Sequence, residues 1–238
     1  MSVMNSSITN HHKVAVVTGA GHGIGAAIAQ SLQDVGYIVH PIDKGEVDLS
    51  NSTQVKQFFD RVGPVDTLVN NAGGVVGQVH QPLEEITEEA WQAVFNANLQ
   101  TTFLCTRSVL AGMKARGWGR IVNISSGAGR SVSLTGIQAY ASAKAAQIAF
   151  TRQMAYELGS FGITVNCIAP GFILSNPSTI KQWESYGKDG QEKIISGIAT
   201  RRLGEPADIA NGVLFFASET SSWVTGQCLS IDGGHSLF

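Results

Sequence analysis

The segment Lys13–Gly36, KVAVVTGAGHGIGAAIAQSLQDVG, decides the fold class of this chain. Its start, KVAVVT, is mostly apolar and β-branched and predicts a short buried strand, whereas AAIAQSLQDVG has the apolar spacing of a helix that ends at Gly36. Gly19, Gly23 and Gly25 allow a tight turn whose backbone can approach a pyrophosphate at the helix N-terminus. The segment therefore predicts a strand-turn-helix unit of an α/β protein, with a plain glycine-rich turn as the alternative to a phosphate site.

The alternation of strand and helix continues along the rest of the chain. Further strand-like runs are Tyr37–Ile42, Val65–Asn70, Trp118–Ile124, Ile163–Ile168 and Gln227–Gly234. Apolar-faced helical patterns lie between them, as parallel strands with crossover helices require. We therefore expect an α/β, doubly wound, Rossmann-like parallel sheet of about seven strands, with helices on both faces and a ligand across the carboxyl ends of the strands. Residues 13–238 are predicted to form one domain, and residues 1–12 a flexible N-terminal arm.

Composition and charge exclude several functional classes. The 238 residues are 43% hydrophobic and 14% charged, a balance that supports a substantial core. A net charge of -2 offers no electrostatic footprint for nucleic acid or anionic lipid, and no run approaches the ~20 apolar residues of a membrane span. Cys105, Cys167 and Cys228 are far apart and lack metal-ligand spacing, which predicts a cytoplasmic protein without a metal site.

The run Ser125–Lys144, SSGAGRSVSLTGIQAYASAK, carries the strongest chemical signal. It ends in Tyr140 and Lys144, which are one helical turn apart and share a helix face. A cation near a phenol lowers the phenol's pKa from ~10, so that the Tyr can give and take a proton near neutrality. On an ordinary helix the same pair is a packed Tyr and a solvated Lys, so its context must decide.

That context consists of three further motifs. Thr18–Gly25 reads TGAGHGIG, Asn70–Gly73 reads NNAG, and the strand-like run Ile121–Ile124 stops at two serines and a glycine-rich loop. With these motifs in this order, the sequence closely resembles the short-chain dehydrogenase/reductase family in its standard single-domain form, over about residues 13–235.

The resemblance implies a catalytic set of Asn98, Ser126, Tyr140 and Lys144. Tyr140 would move the substrate proton, Ser126 would hydrogen-bond the substrate oxygen, and Lys144 would tune the Tyr and hold the nicotinamide ribose. Asn98 would disturb its helix and hold a water beside the Lys.

Two positions of this set have alternatives. Asn96 replaces Asn98 if the helix register slips. Ser126 precedes Tyr140 by 14 residues, one more than is usual in the family, which we interpret as an inserted residue in the loop 127–139. Ser125 is the alternative to Ser126.

The cofactor is expected to be NAD(H), with NADP(H) not excluded. Asp43 ends the second strand, where a carboxylate can accept both ribose hydroxyls of adenosine and repels a 2'-phosphate. Lys44 and His22 are the residues that oppose this preference. Asp48 follows a shortened connection, and it either lies near the adenine, as the resemblance implies, or caps the next helix. The cofactor set that we expect is Gly19, Gly23, Ile24, Gly25, Asp43, Asp48, Leu49, Asn71, Ala72, Gly73, Tyr140, Lys144, Pro170, Gly171, Ile173 and Ser175.

The substrate site is the least legible part of the sequence. The segment 176–200 is polar, mixed in pattern and typical of a mobile lid of two short helices. Arg130, Lys181 and Lys188 would favour a polar or anionic substrate. Our expected substrate contacts are Ser126, Ala128, Arg130, Tyr140 and Phe172.

Together these features predict an NAD(H)-dependent oxidoreductase that interconverts a secondary alcohol and a ketone by hydride transfer. The alternatives are a non-catalytic dinucleotide-binding regulatory protein and a dehydratase or epimerase of the same family, because a fold alone does not imply an activity. The expected partners are a small-molecule substrate and further copies of the chain, which the resemblance implies form a homotetramer. Neither nucleic acid nor a membrane is expected as a partner.

Overall fold

The computed structural model of the protein describes residues 12–133 and 135–237. Almost all of the predicted arm, residues 1–12, lies outside the described residues; His12 alone is inside them. The strands are β1 Val14–Thr18, β2 Ile38–Ile42, β3 Thr67–Asn70, β4 Gly119–Ile124, β5 Ile163–Pro170 and β6 Cys228–Ile231. The α-helices are α1 Gly23–Asp34, α2 Ser52–Val62, α3 Glu88–Phe95, α4 Thr101–Arg116, α5 Gly127–Arg130, α6 Gln138–Leu158, α7 Pro177–Ser185, α8 Gly187–Gly197 and α9 Pro206–Ala217.

The strands form one parallel sheet in the order β2-β1-β3-β4-β5-β6. This confirms the doubly wound parallel sheet, but within the described residues it has six strands where the sequence predicted about seven. The reason is the short connection after β2. Residues 43–51 separate β2 from α2, whereas a further parallel strand needs a crossover of a dozen or more residues. β2 is therefore an edge strand, a position that tolerates Pro41.

Two apolar layers cover the two faces of the sheet, because successive strand residues point to opposite sides. In β1, Val16 packs into the layer that includes Leu104 and Leu158 of α4 and α6. Its neighbours Ala15 and Val17 pack into the layer that includes residues of α1 and α9. Helices on both faces are thus confirmed, and the ligand-binding edge is left at the carboxyl ends of the strands.

The chain reverses direction across the sheet at β1, since β2 lies on one side of β1 and β3 on the other. In open α/β sheets such a switch point creates a crevice at the carboxyl ends of the strands. The glycine-rich turn after β1 and the NNAG turn after β3 meet there. The catalytic candidates follow β4 and β5 along the same edge.

Candidate active site

The glycine-rich turn has a backbone that side chains would block. Gly19 and Gly23 adopt φ values of 64° and 57°, in the left-handed region. A Cβ on Gly25 would lie 2.0 Å from the Gly19 carbonyl oxygen, and a Cβ on Gly23 would lie 2.3 Å from the Ser175 carbonyl oxygen. The turn leads directly into the N-terminus of α1, and His22, the N-cap residue, makes no side-chain capping bond. The residues present therefore fit a pyrophosphate on the exposed helix N-terminus.

The NNAG turn braces this cradle. Asn71 Nδ2 donates to the carbonyl oxygens of Thr18 and Gly19 at 3.0 and 2.9 Å. Thr18 Oγ1 in turn accepts from the backbone N–H groups of Asn71 and Ala72 at 3.0 and 2.9 Å. The carboxyl ends of β1 and β3 are thereby held together, which is the bracing role that the resemblance implies.

Asp43 lies beside the glycine-rich turn. A Cβ on Gly21 would lie 1.9 Å from Asp43 Oδ2, so the carboxylate covers the turn at the position of a glycine. The other oxygen, Oδ1, accepts from the N–H of Lys44 at 2.8 Å. The charge of Lys44 is a minor cause of the lowered pKa of Asp48.

Asp48 has a local role that corrects the predicted alternative. Its Oδ1 accepts from the Ser50 N–H and hydroxyl at 2.9 and 2.6 Å, and these bonds lower the pKa of the carboxyl group. The N-cap of α2 is Asn51, whose side chain accepts from Thr53 and Gln54 N–H groups. Asp48 is therefore not the helix cap. Leu49, also in the predicted cofactor set, buries its side chain in the core.

Lys144 is buried at the centre of the catalytic edge. Its Nζ donates to the carbonyl oxygen of Ile124, the last residue of β4, at 2.9 Å. It lies 5.6 Å from the ring centroid of Tyr140, and a Cβ on Gly73 would lie 3.4 Å from it. Burial lowers the pKa of Lys144 to about 8, so the ammonium form still predominates at neutral pH.

The phenol of Tyr140 lies beside the hydroxyl of Ser126. Burial raises the pKa of Tyr140 above its ordinary value, and the nearby Ser126 hydroxyl partly offsets this effect. We expected Lys144 to lower the pKa of Tyr140. That expectation is wrong, because desolvation by burial penalises the phenolate and is the largest influence on the pKa of Tyr140. Tyr140 is therefore a protonated acid at neutral pH.

Ser125 and Ser126 have separate tasks. Ser125 is buried, and its hydroxyl donates to the Lys144 carbonyl oxygen at 2.8 Å, which ties α6 to the end of β4. Ser126 is the N-cap of α5, and its hydroxyl accepts from the Ala128 N–H at 3.2 Å. Despite the additional residue in the loop 127–139, Ser126 lies beside Tyr140. Ser125 instead anchors α6 to β4.

Asn98 lies in a π-helical turn, Asn96–Gln100, that interrupts the helical run between α3 and α4. Its Nδ2 donates to the carbonyl oxygens of Gly74 and Val94, both at 2.8 Å, and its Oδ1 accepts from the Gly74 N–H at 3.0 Å. Asn96 instead accepts from Gln92 on the same helix face. The side chain of Asn98 therefore meets the NNAG turn beside Lys144, and that of Asn96 does not.

The segment after β5 completes the cleft wall. A Cβ on Gly171 would lie 2.7 Å from the Cβ of Asp232, so a glycine lets this segment pass the end of β6. Ile173 is buried and forms a bridge to Gly204. Ser175 lies against the glycine-rich turn. Pro170, Gly171, Ile173 and Ser175 are thus on the cofactor side of the edge, where the resemblance implies the nicotinamide carboxamide.

The substrate side differs from the expected one. Arg130 Nη1 donates to the Cys228 carbonyl oxygen and the Ser230 hydroxyl at 3.1 and 2.8 Å. The guanidinium group is thus bonded to β6, and its role as a substrate contact stays a prediction. The segment 176–200 contains the two short helices α7 and α8, as predicted, and Lys181 and Lys188 are exposed on them.

Phe172 belongs to an aromatic cluster with Trp183 of α7 and with Tyr186, which follows α7. Its ring centroid lies 5.9 Å from that of Trp183 and 6.2 Å from that of Tyr186. Trp183 and Tyr186 meet edge to face at 6.4 Å. The segment 176–200 is therefore attached to the segment after β5 by aromatic packing.

Gln78 is a site residue that sequence reasoning missed. Its Oε1 accepts from the backbone N–H of Tyr140 at 3.1 Å, and this N–H is in the first turn of α6, where Ile137 provides no side-chain cap. Gln138 donates to the Gln81 carbonyl oxygen at 2.9 Å and strengthens the contact. A cap supplied from 62 residues away has no local sequence signal.

A family model described as "Enoyl-(Acyl carrier protein) reductase" matches residues 19–236. The chain belongs to the short-chain dehydrogenase/reductase family. Among relatives in this family, the "(2S)-[(R)-hydroxy(phenyl)methyl]succinyl-CoA dehydrogenase subunit BbsD" of Thauera aromatica is 37% identical, over 95% of this chain and 98% of its own. The "3-oxoacyl-[acyl-carrier-protein] reductase FabG" of Vibrio harveyi is 34% identical, over 93% and 96%. The chain is thus similar to short-chain dehydrogenase/reductase enzymes over nearly its full length.

Solved structures of the same family share the fold. ElxO with NADP bound superposes with a TM-score of 0.84 at 29% identity, covering 94% of this chain and 98% of its own. YwfH, an NADPH-dependent reductase involved in bacilysin biosynthesis, superposes with a TM-score of 0.86 at 26% identity, covering 95% and 99%. This short-chain dehydrogenase/reductase is therefore an NAD(P)-dependent oxidoreductase of alcohols and carbonyl compounds.

Two negative findings hold for residues 12–133 and 135–237. In that part of the chain, no helix has the length and apolarity needed to cross a bilayer. The same residues contain no group of three or more His, Cys, Asp or Glu side chains placed to hold a metal ion.

Proposed function

We propose that the protein is an NAD(H)-preferring oxidoreductase that interconverts a secondary alcohol and a ketone, with Tyr140 as the proton-transfer group. The observation that carries this proposal is the meeting of Tyr140, Ser126, Lys144 and Asn98 at the carboxyl edge of the sheet, beside a glycine turn that a Cβ would obstruct. A protein that only stored or sensed a dinucleotide would not need a buried acid, a hydroxyl donor and a buried cation in one cleft.

The bound dinucleotide would supply the hydride acceptor or donor. Gly19, Gly23 and Gly25 would hold its pyrophosphate, and Lys144 would hydrogen-bond a hydroxyl of its nicotinamide ribose. Ser126 would hydrogen-bond the substrate oxygen and orient it toward the phenol of Tyr140. The chain thus supplies position and the proton path.

For ketone reduction Tyr140 donates its proton to the substrate oxygen. Its raised pKa keeps it protonated at neutral pH, which suits this direction. Asn98 holds the NNAG turn against Lys144, and a water on Asn98 would carry the proton onward from Lys144.

The preference for NAD(H) is supported by Asp43. Its carboxylate covers Gly21 at the carboxyl end of β2, where it can accept the ribose hydroxyls of adenosine and repel a 2'-phosphate. Lys44, the next residue, should point away from Asp43, because neighbouring residues of an extended chain alternate in direction. The NADP and NADPH of ElxO and YwfH belong to those proteins. We expect a preference on the order of a hundredfold for NAD(H).

The test is consumption of NADH and, in parallel, NADPH with a panel of ketones. Acetoacetyl-CoA comes first, because an "Acetoacetyl-CoA reductase" of Shinella zoogloeoides is 36% identical to this chain. Ketone-dependent oxidation of NADH, faster than that of NADPH, supports the proposal. Tight NADH binding without turnover on any ketone supports a non-catalytic dinucleotide-binding protein. Product formation without net change in NADH supports a dehydratase or epimerase.

We also propose a cytoplasmic homotetramer. Large apolar side chains are exposed on the outer helices, among them Phe103 of α4, Tyr156 of α6 and Phe215 of α9, and such exposure marks subunit contacts. The three cysteines are all free thiols, as a reducing compartment requires. Sedimentation equilibrium at four times the mass of the chain supports the tetramer, and a monomer at micromolar concentration contradicts it.

A further inference from the structure

Two cysteines face each other across neighbouring strands at the end of the sheet. Cys167 of β5 and Cys228 of β6 are register partners, so their side chains project from the same face of the sheet. Register partners on adjacent strands have Cα atoms about 4.8 Å apart, within the range that a disulfide spans. The pair is therefore close enough to form a covalent bond after a small shift of the strands.

The two thiols have different surroundings. Cys167 is fully buried, whereas Cys228 is partly exposed on the last strand. The neighbouring thiol of Cys167 lowers the pKa of Cys228 to about 7, and the charges of Arg130 and Arg152 act in the same direction. The pKa of Cys167 is raised, first by the neighbouring Cys228 and then by burial. Cys228 is thus the nucleophile of the pair and Cys167 the buried partner.

The buried partner lies beneath the catalytic edge. Ile168, the next residue of β5 after Cys167, accepts from the backbone N–H of Ser125 at 2.7 Å, and the charge of Lys144 acts to lower the pKa of Cys167. Ser125 is the residue that ties α6 to the end of β4 through the Lys144 carbonyl. A change at Cys167 therefore acts on the residues that position Lys144.

We propose that Cys167 and Cys228 form an oxidisable dithiol site that a hydroperoxide converts to a disulfide, and that this modification lowers the catalytic activity through Lys144. The thiolate of Cys228 attacks a peroxide oxygen, the O–O bond breaks, and a sulfenic acid and water form. The sulfur of Cys167 then attacks the sulfenic sulfur, and the S–S bond forms as a second water leaves. Two thiols and one hydrogen peroxide thus give one disulfide and two waters, and the sulfurs supply both electrons.

The geometry also predicts that the bond is reversible. Cβ atoms of a disulfide lie about 3.5–4.5 Å apart, which is closer than the spacing of adjacent strands. Closing the bond therefore strains β5 against β6, and strained disulfides are readily reduced by dithiols. The same strain displaces Cys167 relative to Ser125 and Lys144.

The experiment treats the full chain with hydrogen peroxide and maps its peptides by mass spectrometry. The expected product is a Cys167–Cys228 peptide with two hydrogen atoms fewer than the reduced pair, and dithiothreitol restores the thiols. Cys105→Ser is the matched control, because Cys105 is buried in α4 with a pKa raised to about 12 and lacks a register partner. It should oxidise at the same rate as the unmodified chain. Absence of the linked peptide overturns the proposed site.

Turnover is measured on the same samples. This measurement rests on the proposed function, whereas the peptide map does not. We expect kcat/KM to fall at least about tenfold on oxidation, since small displacements of catalytic groups cost that much or more, and to recover with dithiothreitol. In Cys167→Ser, Cys228 should stop at the sulfenic acid, which dimedone traps. A linked peptide with unchanged turnover overturns the effect on catalysis but leaves the proposed function standing, because that function is tested on the reduced protein.

Discussion

The two ends of the candidate cofactor cleft are built differently. At the catalytic end, Asn98 and Lys144 are buried, and backbone groups from separate elements fix them. At the adenosine end, Asp43 and Asp48 are exposed on a short connection and bond to their own neighbours. Proton transfer needs groups held in a dry and rigid place, whereas cofactor choice needs one charge at one position. Substitutions at the first end should therefore affect stability and chemistry together, and those at the second should affect selectivity alone.

Asp43→Ala should have the largest effect on cofactor selectivity at the adenosine end. We expect the ratio of kcat/KM for NADH to that for NADPH to fall on the order of a hundredfold, because the variant loses charge-assisted bonds to the ribose and no longer repels the 2'-phosphate. The free energy of unfolding should change little, because Asp43 is exposed.

Asp48→Ala is the matched control at this end, since it removes a carboxylate of the same connection that bonds to Ser50. It should leave the cofactor ratio nearly unchanged. Equal use of both cofactors by the unmodified enzyme would show that Lys44 or His22 dominates and that Asp43 does not reach the ribose.

The burial of Lys144 at the catalytic end can be tested by the pH dependence of the free energy of unfolding. Burial lowers the pKa of Lys144 to about 8 from its ordinary value of 10.5. The unfolded chain therefore binds more protons than the folded chain between these values, so this destabilisation is full below pH ~8 and disappears as pH rises toward ~10.5. Between pH ~7 and ~9.5 the relief amounts to about 2 kcal/mol.

Urea unfolding of the cofactor-free protein and of Lys144→Met at both pH values measures this term. The unmodified protein should gain about 2 kcal/mol relative to the variant as pH rises. Parallel pH curves for the two proteins would show that Lys144 is not desolvated as the structure has it.

Asn98→Ala tests the bracing of the NNAG turn. The partly buried N–H and carbonyl of Gly74 lose their partner, so we expect about 1–3 kcal/mol lower stability and roughly tenfold lower kcat. Asn96→Ala, two residues away, removes only an exposed bond to Gln92 and should behave as the unmodified enzyme. If Asn96→Ala lowered stability and kcat more than Asn98→Ala, Asn96 would be the site residue.

Trp183→Leu should have the smallest effect, a few-fold rise in KM for bulky apolar ketones, because it loosens the aromatic contacts of the lid with Phe172. Lys181→Ala and Lys188→Ala are the comparison, since both side chains are exposed. A larger rise in KM for carboxylate-bearing ketones in the lysine variants would revive the prediction of an anionic substrate.

Sequence reasoning succeeded where the signal is local. The turn after β1, the Tyr140/Lys144 spacing and the interruption at Asn98 each depend on a few consecutive residues, and each appears in the structure where it was predicted. The strand count failed by one, although the shortened connection after Asp43 was visible in the sequence. Its length leaves no room for a further crossover.

The features that sequence reasoning did not foresee depend on the folded structure. Arg130 is held by Cys228 and Ser230, nearly a hundred residues later, and Gln78 caps Tyr140 from a separate loop. The raised pKa of Tyr140 depends on how completely the folded cleft excludes water, which spacing along a helix does not encode. These properties exist only once the chain has folded.

The most direct test of the central claim is single-turnover hydride transfer in Tyr140→Phe. The variant and the unmodified enzyme are each loaded with NADH, mixed with the ketone that gives the highest turnover, and followed by nicotinamide absorbance. If Tyr140 donates the proton, both proteins bind NADH with similar affinity, and the rate of the variant falls by at least the ~10²-fold that a positioned acid supplies. A variant that binds NADH normally and transfers hydride within a few-fold of the unmodified rate would contradict the assignment.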